Sequence, residues 1–181
     1  MTSFINLPGL GGSGEAHWQT LWEASDNRFS RFEPASWSEP ELTDWIDALD
    51  RATGQQSGPI ILVGHSLAGL LVGHWAADRA GTVAGAFLVA TPDPEDAGFP
   101  VQAASFKNVP GQALPFPALM IASSDDPYCS LDNARARAAA WGCPCIDVGS
   151  HGHINSASGL GAWQQGKELL TAFAAGAAKS V

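Results

Sequence analysis

The stretch that decides the fold spans residues 59–69 and reads PIILVGHSLAG. Its first half is a continuous apolar run rich in β-branched residues, which is typical of a parallel strand buried on both faces. The run ends in Gly64, His65 and Ser66, and an apolar, helix-like segment begins at Leu67. The pattern therefore predicts a buried strand, a tight turn with a serine at its tip, and a helix.

A serine at the tip of a strand-turn-helix junction is the nucleophile elbow of α/β-hydrolases, whose usual pattern is G-x-S-x-G. In so tight a turn the residues two before and two after the serine must be small, and here they are Gly64 and Ala68. Ala68 is a mild departure from the usual glycine. The alternative interpretation is an ordinary strand-to-helix connection in which Ser66 only caps the helix.

Composition indicates one globular domain over residues 1–181, since 45% of the residues are hydrophobic and 15% are charged. A formal net charge of −9 argues against binding to nucleic acid or to an anionic membrane surface. No apolar run approaches the roughly 20 residues that span a bilayer, and residues 1–9 do not resemble a signal peptide. The three cysteines lack metal-ligand spacing, so we expect free thiols, a cytoplasmic location and no metal site.

Short β-rich runs alternate with longer helical ones, which predicts an α/β fold, a three-layer α/β/α sandwich around a parallel sheet. The predicted strands are residues 3–7, 29–33, 59–64, 85–90, 117–123 and 145–148. The predicted helices are residues 15–25, 40–53, 67–80, 130–141 and 160–176, with Gly81 and Thr82 ending the third of them.

A proline-rich segment, residues 91–116, breaks this alternation. It follows a predicted strand, so it lies at the carboxyl edge of the sheet, where ligands bind in open α/β folds. Its aromatic residues Phe99, Phe106 and Phe116 either line a pocket or only anchor the segment to the core.

A serine hydroxyl is a weak nucleophile and needs a histidine base, which follows the serine along the chain in α/β-hydrolases. The turn after the last predicted strand contains His151 and His153. We favour His153, because Gly152 before it frees the turn. We expect His65 to point away from Ser66, its neighbour in the elbow.

The base in turn needs a carboxylate to orient it. Asp125 and Asp126 come directly after a predicted strand, and Asp93 and Asp96 are weaker alternatives. We favour Asp126, because Pro127 fixes the backbone directly after it. Serine, acid and histidine thus each follow a predicted parallel strand, so they can converge on one edge of the sheet.

The loop after the first predicted strand, GLGGSG over residues 9–14, is compatible with two functions. It matches G-x-G-x-x-G, and Glu33 lies nineteen positions after Gly14 (33 − 14), close to the spacing of a dinucleotide-binding oxidoreductase. It can also complete an oxyanion hole, with the N–H groups of Leu10 and Leu67 as the two donors. We favour the oxyanion hole, because dinucleotide binding leaves the serine, acid and histidine unexplained.

Five motifs, taken in order, resemble those of the small serine hydrolases related to retinoblastoma-binding protein 9: residues 7–11, 17–18, 64–66, 125–129 and 152–155. The resemblance covers essentially the whole chain. It implies a compact α/β-hydrolase with six parallel strands and no cap domain, with Ser66 as nucleophile, His153 as base and Asp126 as acid. Members of that family are esterases or aminopeptidases, and some bind proteins, so a non-catalytic binding module is an alternative.

Trp18 lies near Leu10 in the sequence, and we expect it to border a shallow pocket with Leu10, Leu67 and the 91–116 segment. A shallow pocket favours a small ester, or an amide, over a long lipid. The sequence therefore predicts a serine hydrolase that acts through an acyl-enzyme and requires no cofactor.

Overall fold

A parallel six-stranded sheet forms the centre of the computed structural model, which describes residues 1–79 and 83–177. The strands follow the order β2-β1-β3-β4-β5-β6. They are β1 Ser3–Leu7, β2 Phe29–Arg31, β3 Ile60–His65, β4 Gly85–Val89, β5 Ala118–Ala122 and β6 Cys145–Asp147. The helices are α1 Trp18–Ser25, α2 Leu42–Gly54, α3 Leu67–Ala76, α4 Leu131–Trp141 and α5 Gln164–Ala177. The predicted α/β/α sandwich is confirmed.

The strand that carries the elbow, β3, lies inside the sheet between β1 and β4, and all of its residues are buried. Helix α3 leaves directly from it, and every residue of this helix except His74 is buried. A helix that is apolar on all sides has to be enclosed. Helix α2 and the segment between β4 and β5 pack against it and supply that enclosure. The elbow therefore lies between a fully buried strand and an almost fully buried helix.

Each face of the sheet has its own core, and each core contains three buried tryptophans. On the face covered by α2, α3 and α4 they are Trp45, Trp75 and Trp141. On the face covered by α1 and α5 they are Trp18, Trp22 and Trp163. The three on the second face pack together, with Trp18 and Trp22 ring centroids 4.5 Å apart. This second cluster lies directly behind the loop that follows β6.

Several helix ends differ from the prediction, each for a local reason. Helix α1 begins at Trp18 because His17 caps it, with its Nδ1 accepting the Gln19 N–H. Helix α5 begins only at Gln164, after Trp163 in a left-handed conformation with a φ of 39°. Helix α3 ends at Ala76, and its predicted end at residues 81–82 lies outside the described residues. Of the described helices, none has the length and apolar character that a bilayer span requires.

The proline-rich segment after β4 folds into a short 3₁₀ helix, Val101–Phe106, over α3. All three of its phenylalanines are buried, so each anchors the segment to the core. Phe99 also reaches the cavity described below, while Phe106 and Phe116 do not line it. All three rings therefore anchor the segment to the core, and Phe99 alone of the three also lines a pocket.

Candidate active site

The elbow places Ser66 at the carboxyl end of β3 in a strained backbone conformation, with φ 56° and ψ −125°. A non-glycine residue with positive φ is uncommon and persists only where its surroundings fix it. Here the Ser66 N–H donates to the Val89 carbonyl of the neighbouring strand at 2.9 Å. A Cβ on Gly64 would lie 3.3 Å from Leu88 and 3.4 Å from the Ala68 carbonyl. Small residues are therefore needed here, and Ala68 satisfies the requirement.

A chain of hydrogen bonds joins the three residues that the sequence analysis placed at strand ends. His153 Nε2 lies 2.8 Å from Ser66 Oγ, and His153 Nδ1 lies 2.9 Å and 3.0 Å from the two carboxylate oxygens of Asp126. The side chains of His153 and Asp126 are only 9% and 3% exposed, so solvent hardly weakens this pair. The arrangement is that of a nucleophile, a base and the group that orients the base.

The neighbouring carboxylate, Asp125, has a different set of partners. Its Oδ1 accepts the Ser123 hydroxyl at 2.8 Å and the Gly152 N–H at 2.7 Å. These two donors lower the pKa of Asp125, the serine hydroxyl more than the glycine N–H. Asp125 therefore holds the backbone just before His153, whereas Asp126 contacts the imidazole itself.

The glycine loop after β1 lies against the elbow. A Cβ on Gly9 would fall 2.8 Å from Ser66 Cβ, 3.0 Å from the His65 carbonyl and 3.2 Å from Leu67 N. Only a glycine allows this approach, and it brings the following residue, Leu10, beside the start of α3. The Leu10 N–H makes no hydrogen bond within the described part of the chain, and the first N–H groups of a helix such as that of Leu67 lack intrahelical acceptors. Two free donors therefore flank Ser66.

Two further histidines, His17 and His65, pack beside the base, and sequence reasoning did not identify this cluster. The His65 ring lies 5.1 Å from that of His153, and its Nε2 is 3.0 Å from the His153 carbonyl oxygen. The His17 ring lies edge-on to His65 at 4.7 Å. Burial, more than the neighbouring histidines, holds the pKa of His65 well below its ordinary value. Burial, followed by Arg31 and His153, lowers the pKa of His17 to about 4.

A cavity of about 410 Å³ opens in front of Ser66. Its lining contains both apolar and polar residues, and among the described residues no carboxylate, lysine or arginine lines it. The apolar lining residues are Leu10, Leu67, Pro92, Phe99, Pro100, Ala103 and Ala157, and the polar ones include His17, His65, Tyr128, His153, Asn155 and Ser156. A site of this size accommodates a small molecule.

Two aromatic residues near the cavity differ from expectation. The prediction that Trp18 borders the pocket is wrong: its side chain is 1% exposed, does not line the cavity, and donates its Nε1–H to the Ile154 carbonyl at 2.8 Å. Packing with Trp22 and Trp163 turns this face of α1 towards the core. Tyr128 lines the cavity instead, 47% exposed, with its ring edge-on to His153 at 4.5 Å.

Comparisons with known proteins identify the family and the fold of the chain. A family model described as serine hydrolase matches residues 4–172. The structure of a YdeN-like hydrolase from Pectobacterium atrosepticum has 30% identity and a TM-score of 0.87, and the match covers 98% of this chain and 92% of that one. The ydeN gene product of B. subtilis has 18% identity and a TM-score of 0.79, with coverage of 97% and 100%.

More distant structures share only the fold. A monoacylglycerol lipase from Paleococcus ferrophilus has 13% identity and a TM-score of 0.71, and the match covers 98% of this chain and 94% of that one. A search of curated protein sequences found no match. The predicted compact α/β-hydrolase fold is confirmed by these structures together with the six-stranded parallel sheet.

Proposed function

Because the chain belongs to the serine hydrolase family, we propose that it hydrolyses a small ester through an acyl-enzyme formed on Ser66. The observation that carries this proposal is the continuous hydrogen-bond chain from Ser66 Oγ through His153 to Asp126. Ser66 lines a cavity large enough for a small ester.

In the first half of the reaction, Ser66 Oγ attacks the ester carbonyl carbon while His153 Nε2 takes the hydroxyl proton. The N–H groups of Leu10 and Leu67 hold the developing oxyanion. When the tetrahedral intermediate collapses, the bond to the leaving oxygen breaks, and His153 gives its proton to the departing alcohol. The acyl group remains on Ser66.

In the second half, water attacks the acyl-enzyme, and His153 again serves first as base and then as acid. The products are the free carboxylic acid and regenerated Ser66. Asp126 accepts the Nδ1–H of His153, so Nε2 of the neutral ring is free to take the serine proton. The same carboxylate stabilises the imidazolium that forms after proton transfer.

The cavity lining favours an uncharged ester with a short acyl group. An aminopeptidase has to bind the ammonium group of its substrate, for which a carboxylate is the natural partner, and none lines the described cavity. The apolar lining residues suit an alkyl or aryl group instead. The predicted aminopeptidase activity is therefore the weaker candidate, and the narrower relationship to retinoblastoma-binding protein 9 stays a prediction.

The alternative of a dinucleotide-binding oxidoreductase loses its main support, because the glycine loop packs on the elbow through Gly9. Hydrolysis through Ser66 needs no cofactor. A non-catalytic binding module is the alternative that the experiment below separates from an enzyme. The proposed cytoplasmic location rests on the cysteines, which are free thiols in the structure.

The proposal is tested with p-nitrophenyl acetate, butyrate, octanoate and laurate, together with an amino-acid p-nitroanilide. We expect the highest kcat/KM for the two short esters and negligible release from the anilide. The matched control is Ser66→Ala, which should lose nearly all hydrolysis while its circular dichroism and urea midpoint match the wild type. Equal rates for Ser66→Ala and wild type would contradict the proposal, as would wild-type protein without esterase activity.

A further inference from the structure

The loop that carries the candidate base, residues 151–155, contains one residue whose backbone conformation its side chain does not favour, Ile154. Ile154 has a φ of 48° and Gly152 a φ of 54°. Positive φ suits glycine, but for a β-branched residue such as isoleucine it is strained. Ile154 is nevertheless completely buried. Strain of this kind persists only where surrounding contacts hold the backbone in place.

Two buried side chains supply such contacts on successive carbonyl groups of this loop. His65 Nε2 lies 3.0 Å from the His153 carbonyl oxygen, and Trp18 Nε1 donates to the Ile154 carbonyl at 2.8 Å. His65 is 5% exposed and Trp18 is 1% exposed. Because a carbonyl can only accept, His65 must carry a proton on Nε2. Both bonds join residues far apart in the chain, one from β3 and one from α1.

The two donors also support one another. The Trp18 ring lies edge-on to His65 with centroids 6.0 Å apart, and His17 packs against both rings. The His17 ring is fixed in its turn, because its Nδ1 accepts the Gln19 N–H. Trp18 does not line the cavity, whereas His65 does. Both donors nevertheless bond to backbone carbonyl groups of the loop and not to the side chains of Ser66 or His153.

We propose that Trp18 and His65 are positioning residues, which hold the carbonyl groups of residues 153 and 154 so that the His153 imidazole meets Ser66 Oγ in the geometry needed for proton transfer. This inference rests on the proposed function, because it assigns His153 the role of base. Small displacements of a reacting group lower rates steeply: about 1 Å costs on the order of a hundredfold. Deleting either donor is therefore expected to lower kcat.

Trp18→Phe removes the N–H donor and keeps a large aromatic ring. The chain offers a matched control one helical turn away, because Trp22 is also fully buried and donates its Nε1–H to a carbonyl, that of Ala162, at 2.6 Å. Trp22→Phe therefore has the same chemical change and a comparable loss of stability. We expect kcat for p-nitrophenyl butyrate to fall at least about tenfold in Trp18→Phe, with KM within twofold, and to stay within twofold in Trp22→Phe.

His65 is tested with a pair of substitutions at one position. His65→Phe keeps a ring without a donor, whereas His65→Gln offers an amide N–H near the position of Nε2. We expect kcat to fall in His65→Phe and to be higher in His65→Gln than in His65→Phe. The urea midpoints of the two variants are measured as well, so that a loss of stability can be told from a loss of rate. Equal kcat in Trp18→Phe and Trp22→Phe, or the same loss in both His65 variants, would overturn the inference.

A spectroscopic measurement separates this inference from the hydrolytic function. The proton between His153 Nδ1 and Asp126 should give a low-field ¹H resonance, identified by its loss in Asp126→Asn. We expect the resonance to persist in Trp22→Phe and to shift or broaden in Trp18→Phe and His65→Phe. If the variants show these differences in the resonance but the wild type hydrolyses no ester, the positioning role stands and the proposed function fails. If hydrolysis is present and the resonance is the same in all variants, the positioning role fails.

Discussion

Replacing Gly9 by alanine perturbs the proposed oxyanion hole while all three residues of the proposed triad stay unsubstituted. The added Cβ would lie 2.8 Å from Ser66 Cβ, whereas ordinary van der Waals contact begins at 3.4 Å, so about 0.6 Å must be taken up. The atoms it meets are the serine Cβ, a carbonyl oxygen and the Leu67 nitrogen, none of them the end of a flexible side chain. The glycine loop therefore has to move away from the elbow, and the Leu10 N–H moves with it.

Loss of one oxyanion donor costs on the order of 10²–10³ in kcat, or about 2.7–4 kcal/mol. We expect Gly9→Ala to fall in the lower part of this range, because the loop is displaced and not removed. The assay is the steady-state hydrolysis of p-nitrophenyl butyrate, with kcat and KM measured separately. The expected result is a fall in kcat of about a hundredfold with KM little changed, because the donor acts mainly in the transition state.

The matched control is Gly14→Ala in the same loop. A Cβ on Gly14 meets nothing within 4 Å, and its backbone does not have a positive φ. This variant should retain wild-type kcat. The reasoning is refuted if folded Gly9→Ala has a kcat within about threefold of the wild type, or if both alanine variants lose activity equally.

The two adjacent carboxylates should respond differently to amidation. Asp126→Asn is expected to lower kcat by about 10³–10⁴-fold, because it disturbs the tautomer of the His153 base. Asp125→Asn keeps an acceptor oxygen for the Gly152 N–H and should lower kcat less than tenfold. Equal losses of kcat in the ester assay would contradict the assignment of Asp126 as the acid. A second prediction concerns stability and pH. Burial lowers the folded-state pKa of His17 from 6.5 to about 4. The contribution of His17 to the free energy of unfolding is therefore full above about pH 6.5 and is lost as the pH falls towards 4. The loss amounts to about 3 kcal/mol. His17→Asn keeps a helix-capping oxygen, and its urea midpoint should fall less between pH 7.5 and pH 4.5 than that of the wild type; identical falls would show that His17 does not carry this dependence.

The order and placement of the three residues of the proposed triad could be predicted from the sequence for a physical reason. Parallel strands all point their carboxyl ends to one edge of the sheet, so residues just after β3, β5 and β6 had to meet there. Ser66, Asp126 and His153 occupy those positions, and the structure joins them by hydrogen bonds. The preference for Asp126 over Asp125 agrees with the side-chain directions found after β5.

The orientation of side chains on α1 was not accessible in the same way. Sequence distance suggested that Trp18 faces the pocket, but the rotation of a helix is decided by what its largest residues pack against. Trp18 joins Trp22 and Trp163 in the core and bonds to Ile154, which is 136 positions away. Tyr128 was overlooked for the related reason that a turn residue has no periodicity from which its direction can be inferred.

The histidine cluster shows the same limit. The expectation that His65 points away from Ser66 follows from the alternation of side chains in a strand, and it says nothing about what the His65 ring contacts. In the structure His65 lines the same cavity as Ser66, and its Nε2 lies 3.0 Å from the His153 carbonyl oxygen. Such a contact depends on a loop 88 residues later in the chain, and local sequence contains no signal for it.

The central claim, that Ser66 is an activated nucleophile beside an oxyanion hole, is tested most directly with a fluorophosphonate probe and peptide mapping by mass spectrometry. The predicted result is one covalent adduct per chain, on the peptide that contains Ser66, with labelling abolished in Ser66→Ala and strongly slowed in Gly9→Ala. An unlabelled wild-type protein, or an adduct on any other residue, would contradict the account.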